Sequence, residues 1–375
     1  MNLRIFFDSI TEGLLDHIKE PNTMLRQVLL HKEEFPSIEH IQAAIIGICE
    51  TGGADKIRKK FYALKKGTSS NVIIADLGNL RPGMDELETC QRLKEVCSIL
   101  LEKGIIPIII GDRHSYDYGQ FLAYENSGKL INFLNVDACI DLYSTEEFGT
   151  DKHHIHKILM HEPAMLFNYS HLAYQSFLCD PETVNVLEKL NYEAYRIGRI
   201  RENIKETEPV VRSADMMSFD LSAVRQNDAP GTINPQPFGL TGEEACQIAW
   251  YAGISPSMSS IGVYGYMPFN DPMDQTAGVA AVMMWYFVEG LGKKSAQFNY
   301  DDQQLTKYIV SLQEEPHKLV FYKHNISEFW WMEVPYPNKN KKGCSVVPCS
   351  YEDYQLAANK GEVPERWLQT HAKLV

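Results

Sequence analysis

The stretch 105–115, IIPIIIGDRHS, joins a continuous apolar run to a group of polar residues. An apolar run that does not alternate with polar residues is expected of a strand covered on both of its faces. Polar residues that follow such a strand lie at its carboxyl end, where parallel sheets bind their ligands. The stretch therefore predicts a buried parallel strand over residues 105–110 that brings His114 to a functional site.

Two later segments have the same arrangement. The apolar run Ile131–Val136 leads into Asp137-Ala138-Cys139-Ile140-Asp141, and the run 216–219 leads into Asp220. Because the carboxyl ends of parallel strands meet at one edge of a sheet, we expect these three aspartates to converge with His114. One imidazole and three carboxylates are donors that suit Mn²⁺ or a similar divalent ion. A lone aspartate at a strand end usually caps a helix, but four such residues together favour a metal site.

Strands and helices alternate along the chain, which predicts the α/β class with a parallel sheet between helices. The remaining strand candidates are Ala43–Ile48, 71–75, 194–197 and Ser260–Tyr264. An apolar stripe predicts an amphipathic helix over residues 85–103, and Gly104 supplies its end. A second helix is predicted over residues 242–252, since Thr241 and Glu244 have the spacing of a capping box.

Charge and cysteine content exclude several classes of protein. The net charge of −13 disfavours non-specific binding to nucleic acid or to an anionic membrane. No apolar run approaches the roughly 18 residues of a membrane span, and the N-terminus has too short an apolar stretch for a secretory signal. The eight cysteines form no C-x-x-C pair, so neither a zinc knuckle nor a disulfide framework is expected. We therefore expect a cytoplasmic protein without a nucleic-acid partner or a membrane span.

Together the polar segments resemble motifs of the ureohydrolase superfamily, which contains arginase, agmatinase and formimidoylglutamase. Residues 111–115 are similar to its G-G-x-H-S motif, residues 137–141 to D-A-H-x-D, and residues 218–228 to S-x-D-x-D-x-x-D-P. The resemblance extends over roughly residues 40–290 and is closest in pattern to formimidoylglutamase. It implies an arginase-like, three-layer α/β/α fold with a mainly parallel sheet of about eight strands, in a protein that forms homo-oligomers.

The resemblance also assigns metal ligands. The first metal site of the superfamily maps to His114, Asp137, Asp141 and Asp220. The second site shares two of these aspartates and adds a histidine and an aspartate, whose positions hold Cys139 and Ser222 in this chain. A serine hydroxyl is a poor substitute for a carboxylate, and a cysteine binds metal only as the thiolate, which would favour Zn²⁺. We therefore expect one Mn²⁺ or other divalent ion and no second ion.

Two further features bear on catalysis. The acid that grips the guanidinium or amidine group of the substrate in this superfamily falls at Gly265 here. The chain also carries His153, His154 and His156 near the proton-shuttling histidine of arginases. The alignment puts that position near Asp151, and histidines in a solvated loop are the competing interpretation. His154 and His156 are therefore weak candidates for a catalytic role.

The sequence suggests three parts. We predict a helical lead-in over residues 1–38, an arginase-like α/β domain over 39–292, and a C-terminal extension over 293–375 that packs on the core. The extension is rich in aromatic residues, including Trp330 and Trp331. We expect these side chains to pack the extension onto the main domain. The alternative is that they form a surface that binds a protein partner.

Three functions remain open at this point. The substitutions at positions 139, 222 and 265 favour a protein that has lost the hydrolysis of amidines or guanidines and acts as a scaffold, regulatory or assembly component. The alternative is a metal-dependent C–N hydrolase of the formimidoylglutamase or arginase type, acting on a linear amidine or guanidino substrate. It would use one ion, or a second site rebuilt around Cys139. A third hypothesis is a small-molecule sensor with a structural metal.

Overall fold

A mainly parallel sheet forms the centre of the protein in a computed structural model, which describes residues 3–11, 13–68, 71–143, 150–295, 297–338 and 341–375. Within these residues its ten strands are β1 (Phe7–Asp8), β2 (Val28–Leu30), β3 (Ala43–Ile48), β4 (Ile74–Leu80), β5 (Ile106–Gly111), β6 (Ile131–Val136), β7 (Leu166–Tyr174), β8 (Glu193–Arg196), β9 (Met216–Asp220) and β10 (Ser260–Tyr264). They lie in the order β1-β4-β3-β5-β10-β9-β6-β7-β8, with β2 also on β4. Among these described strands, β1 alone runs antiparallel to its neighbour.

Helices cover both faces of this sheet. They are α1 (Gly53–Ala63), α2 (Glu86–Glu102), α3 (Asp117–Leu122), α4 (His154–Leu159), α5 (Pro181–Lys189), α6 (Ile197–Glu202), α7 (Thr207–Ser213), α8 (Gly242–Ile254) and α9 (Gln275–Leu291). On β5, Ile108 and Ile110 pack in one core with α1, α8 and α9, whereas Ile109 packs in a second core with α2. Successive strand residues point to opposite faces, so a strand covered on both sides is apolar throughout. The three-layer α/β/α fold is therefore confirmed.

The two predicted helices begin where their capping residues place them. The Asp85 side chain accepts a hydrogen bond from the backbone N–H of Glu88 before α2, and Gly104 follows α2 with a φ of 70°. Thr241 and Glu244 form the predicted capping box of α8. Among the described residues, no helix has both the length and the apolar character needed to cross a bilayer.

The N-terminal prediction was wrong. Residues 3–11 and 13–38 contain β1, β2 and short 3₁₀ turns where a helical lead-in was expected, and both strands pair with β4. These two strands and β7 were not among the seven strand candidates, and with them the sheet has ten strands within the described residues, where about eight were expected. The strand predicted over residues 71–75 is β4, which begins at Ile74 and runs on to Leu80.

Buried polar residues explain the missed strand and the shifted one. Strand β7 buries Asn168, Ser170 and His171, so its sequence lacks the apolar run used to find the other strands. Strand β4 contains Asp76, whose fully buried carboxylate forms an ion pair with Arg58 of α1 at 2.8 Å. A carboxylate inside a strand reads as a strand end in the sequence, although here it is paired within the core.

A second, antiparallel sheet follows α9. Its strands are β11 (Leu305–Ser311), β12 (Lys318–His324), β13 (Trp330–Asn338) and β14 (Lys341–Cys349), followed by α10 (Tyr351–Gln355) and α11 (Glu365–Leu374). Arg366 of α11 forms an ion pair with Glu193 of β8 at 2.7 Å, and Arg212 of α7 donates a hydrogen bond to the carbonyl oxygen of Trp330 at 2.9 Å. Trp330 and Trp331 are each 7% exposed. Their burial agrees with the packing interpretation and leaves little ring surface for a partner.

Candidate metal centre

Three strand ends bring predicted ligands to one edge of the sheet. Strands β5 and β9 flank β10, and β6 pairs with β9, so their carboxyl ends are close. His114 follows β5, Asp137 follows β6 and Asp220 ends β9. The Nδ1 atom of His114 lies 3.2 Å from Oδ2 of Asp220 and 3.4 Å from Oδ2 of Asp137.

Asp141 and His154 extend this cluster from the chain that follows β6. Oδ2 of Asp141 is 3.7 Å from Nε2 of His154, and the ring centroids of His154 and His114 are 4.4 Å apart. Ligand atoms of His114, Asp141 and His154 lie within 4.8 Å of one another, as do those of His114, Asp137 and Asp220. The structure thus brings together the four expected ligands and one of the two weak catalytic candidates.

Asp117, at the start of α3, orients both imidazoles. Its Oδ1 accepts a hydrogen bond from Nδ1 of His154 at 2.7 Å, and its Oδ2 accepts one from Oγ of Ser218 at 3.0 Å. Because Ser218 donates to Asp117, its oxygen accepts the proton on Nε2 of His114, at 2.9 Å. Nδ1 of His114 and Nε2 of His154 are left buried without a hydrogen-bond partner among the described residues. Imidazole nitrogens that are held at one side and unpartnered beside carboxylates fit a bound cation.

The electrostatics of the cluster also fit a cation. Burial and the charges of Asp220 and Asp141 raise the pKa of Asp137 to about 6. Burial lowers the pKa of His114, but the carboxylates of Asp220 and Asp137 outweigh it and raise that pKa well above its ordinary value. Three adjacent carboxylates are costly without positive charge, which a proton on His114 or a divalent ion would supply.

The two substituted positions of the second metal site offer poor donors. Burial, followed by the charge of Asp137, raises the pKa of the Cys139 thiol to about 12, which disfavours the thiolate that would bind a metal. The Ser222 hydroxyl donates to Oδ1 of Asp137 at 2.8 Å, and the Ser222 backbone N–H donates to Oδ1 of Asp220 at 2.6 Å. The Ser222 hydroxyl therefore uses an oxygen of Asp137, one of the two aspartates that the second site would share.

Gly265 cannot take the place of the expected substrate-binding acid. It follows β10 with a φ of 79°, a backbone conformation that residues other than glycine rarely adopt. A Cβ atom there would lie 2.7 Å from Oδ1 of Asp220. The contact leaves no room for a side chain in this backbone conformation.

Lys152 provides a positive charge at the edge of the cluster. Its Nζ lies 2.9 Å from Oδ1 of Asp141. A cavity of about 40 Å³ is lined by His114, Asp137, Ala138, Cys139, Asp141, Asp151, Lys152, Asp220, Ser222, Ile233, Asn234 and Gln236. This volume suits an ion or a few waters more than a substrate molecule. His156, the other weak catalytic candidate, stacks on His153 at a centroid distance of 4.9 Å and does not line this cavity.

His171 makes the stability of this region depend on pH. It is fully buried in β7, where Nε2 donates to the carbonyl oxygen of Asp137 at 3.1 Å and Nδ1 accepts from the Tyr169 hydroxyl at 2.9 Å. Burial lowers the pKa of His171 from 6.5 to about 4, so the unfolded chain binds more protons between these values. The contribution of His171 to the free energy of unfolding is fully present above pH 6.5 and is lost as the pH falls to about 4. The total change is on the order of 3 kcal/mol.

We expect His171→Gln to remove this pH dependence, because glutamine keeps a donor and an acceptor but does not titrate. Denaturant unfolding across this pH range measures it. The free energy of unfolding should fall more for the wild-type protein than for the variant, by up to about 3 kcal/mol. His17→Gln, at an exposed position, is the matched control and should follow the wild type. Equal pH dependence in wild type and H171Q would contradict the assignment.

An α/β/α fold with an imidazole–carboxylate cluster beyond the carboxyl ends of parallel strands defines the arginase-like class of proteins. The chain belongs to the arginase family, whose model matches residues 50–289. The resemblance to the ureohydrolase superfamily is therefore confirmed.

Individual relatives agree with this placement. The chain is 26% identical over 222 residues to the formimidoylglutamase of Geobacillus kaustophilus, covering 56% of this chain and 68% of that protein. It is 26% identical over 184 residues to an uncharacterized 32.2 kDa protein of Methanothermus fervidus, covering 48% of this chain and 63% of that protein, which is less than two thirds. The crystal structure of Trypanosoma cruzi formiminoglutamase with Mn²⁺ superposes with a TM-score of 0.63 at 17% identity, covering 74% of this chain and all of that one.

Proposed function

We propose that this protein is a metal-dependent C–N hydrolase of the formimidoylglutamase type, acting on a linear amidine or guanidino group with one divalent ion. One observation carries the proposal: among the described residues, two oriented imidazoles each turn a nitrogen without a hydrogen-bond partner toward three clustered carboxylates. The family match and the formimidoylglutamase relatives support this reaction class.

Four side chains would hold the ion: His114, Asp137, Asp141 and Asp220. When bound, a divalent ion would act as a Lewis acid and lower the pKa of water. Hydroxide, which can attack an amidine carbon, would then be available near neutral pH. Around it, Asp117 and Ser218 fix the ring of His114, with the Ser218 hydroxyl 2.9 Å from Nε2. A fixed ring keeps the ligand nitrogen aimed at the cluster, which is what partners of metal-binding histidines contribute.

The cationic head of such a substrate would need a carboxylate in place of the one missing at Gly265. Asp151 lines the cavity beside the cluster, and its Oδ1 accepts the backbone N–H of Ser115 at 2.9 Å. This hydrogen bond uses one carboxylate oxygen and holds the group in place. The substrate itself is larger than the 40 Å³ cavity, so residues that line the cavity would have to move apart to admit it.

The proposal predicts turnover by the Mn²⁺-loaded protein. N-formimidoyl-glutamate, agmatine and arginine would be offered separately, with release of formamide, ammonia or urea measured over time. We expect hydrolysis of one of them that depends on added Mn²⁺ and stops with a chelator. Bound metal without turnover of any of the three substrates would contradict the proposed hydrolysis.

A second candidate is a non-catalytic arginase-fold protein that serves as a scaffold, regulatory or assembly component. Three observations favour it: the raised pKa of the Cys139 thiol, the hydrogen bond from the Ser222 hydroxyl to Asp137, and the close contact that a side chain at Gly265 would make with Asp220. The third hypothesis, a ligand sensor, has a test of its own. Metal binding with no turnover, together with a rise in melting temperature on addition of an amidine, would favour a sensor over a hydrolase.

A further inference from the structure

We propose that His154 is a direct ligand of the ion and supplies the second imidazole that position 139 no longer provides. The inference rests on the metal-binding part of the proposed function and is independent of hydrolysis. It moves the second imidazole from the segment after β6 to the start of α4.

The position of His154 is fixed by packing. Its side chain is 1% exposed, and the next turn of α4 places Ile155 and Ile158 in a core with Phe133 of β6. A histidine held in this way cannot turn toward solvent without moving the helix. His154 is therefore part of the buried cluster and is not one of the solvated loop histidines that the sequence left open.

The orientation of the ring points to a ligand role. Nδ1 donates to Asp117 at 2.7 Å, which leaves the lone pair of Nε2 facing Asp141. The separation between Nε2 and Oδ2 of Asp141 is 3.7 Å, too long for a hydrogen bond, and Nε2 has no other partner among the described residues. Two neighbouring donors that each bind a divalent ion at about 2.1 Å stand about 3.0–3.4 Å apart, so a small approach of the two groups would bring them to this spacing.

Asp117 links the two imidazoles into one unit. One oxygen holds Nδ1 of His154 directly, and the other holds Nε2 of His114 through the Ser218 hydroxyl. A carboxylate behind a histidine that binds metal fixes the tautomer and makes the ligand nitrogen more basic. Here a single buried carboxylate serves both rings, as expected if both bind the same ion.

A competing account makes His154 a protonated partner of Asp117 with no metal bond. Burial lowers the pKa of His154, but the charge of Asp117 raises it to about 9, which is compatible with that account. The two accounts differ in the number of nitrogens bonded to the ion. Direct ligation gives two, from His114 and His154, whereas the ion pair gives one.

Electron spin-echo spectroscopy of the Mn²⁺-loaded wild-type protein counts these nitrogens without any substitution. We expect two nitrogens bonded to the ion. A count of one nitrogen would overturn the inference while leaving the proposed hydrolysis untouched. Absence of any bound divalent ion would overturn both.

The matched variants are His154→Gln and His156→Gln, which lie two residues apart on α4. Titration calorimetry with Mn²⁺ should show a loss of affinity of about tenfold or more for H154Q and wild-type affinity for H156Q. The nitrogen count should fall by one in H154Q alone. Wild-type affinity and an unchanged count in a folded H154Q would overturn the inference.

Discussion

Replacement of Asp220 by asparagine should lower the affinity for Mn²⁺ by about a thousandfold. Asp220 ends β9 with Oδ2 3.2 Å from Nδ1 of His114, at the centre of the ligand cluster. At an effective dielectric constant of about 20, a unit charge 4 Å from another contributes about 4 kcal/mol, which corresponds to this factor. Titration calorimetry measures the affinity, and any Mn²⁺-dependent hydrolysis should disappear with it.

Asp215→Asn is the matched control because Asp215 precedes the same strand at the opposite edge of the sheet. Its Oδ2 accepts the backbone N–H of Asn132 at 2.9 Å, which an asparagine oxygen can also do. The D215N variant should therefore bind Mn²⁺ like the wild type. An unchanged affinity in D220N would place the ion elsewhere in the protein and contradict the site.

The double substitution Cys139→His with Ser222→Asp should raise the number of bound ions from one to two. The changes add an imidazole and a carboxylate next to Asp137 and Asp220, and they free the oxygen of Asp137 that now accepts the Ser222 hydroxyl. A second ion shared between two carboxylates is the arrangement in which two metals act together on one water. Elemental analysis after Mn²⁺ loading gives the count.

Lys152 opposes this gain because its ammonium group already lies 2.9 Å from Asp141. Adding Lys152→Met to the double variant should therefore strengthen binding of the second ion. The two single variants, C139H and S222D, should each hold one ion, since each adds one donor. A count of one in the double and triple variants would show that this scaffold no longer accepts a second ion.

The sequence predicted the four residues that the structure brings together at one edge of the sheet, because each stands near an uninterrupted apolar strand. It was insufficient for Asp117, which begins a short helix that no motif marks. Its contact with His154 depends on α3 and α4 packing together across 37 residues of chain. The alignment of the sequence with arginases pointed near Asp151, three residues before the histidine that reaches the cluster. Local patterns cannot give that register, because the helix that sets it is fixed by tertiary packing.

The fold shows the same distinction between features that local sequence patterns predict and features that tertiary packing fixes. Strands buried on two faces by apolar residues were found, whereas β7 was missed because it buries Asn168, Ser170 and His171. The short strands β1 and β2 have two and three residues, too few to show a period. They form strands because they pair with β4, and this tertiary contact cannot be predicted from the local sequence.

The left-handed backbone conformation at Gly265 restricts which residues this position can accept. Exchanging the glycine for glutamate would place a Cβ atom 2.7 Å from Oδ1 of Asp220 and strain a φ of 79°. A glutamate at this position would therefore disturb Asp220, a proposed metal ligand, before it could bind the substrate. The end of β10 would first have to adopt another backbone conformation, so the geometry of the main chain disfavours an acidic residue at this position.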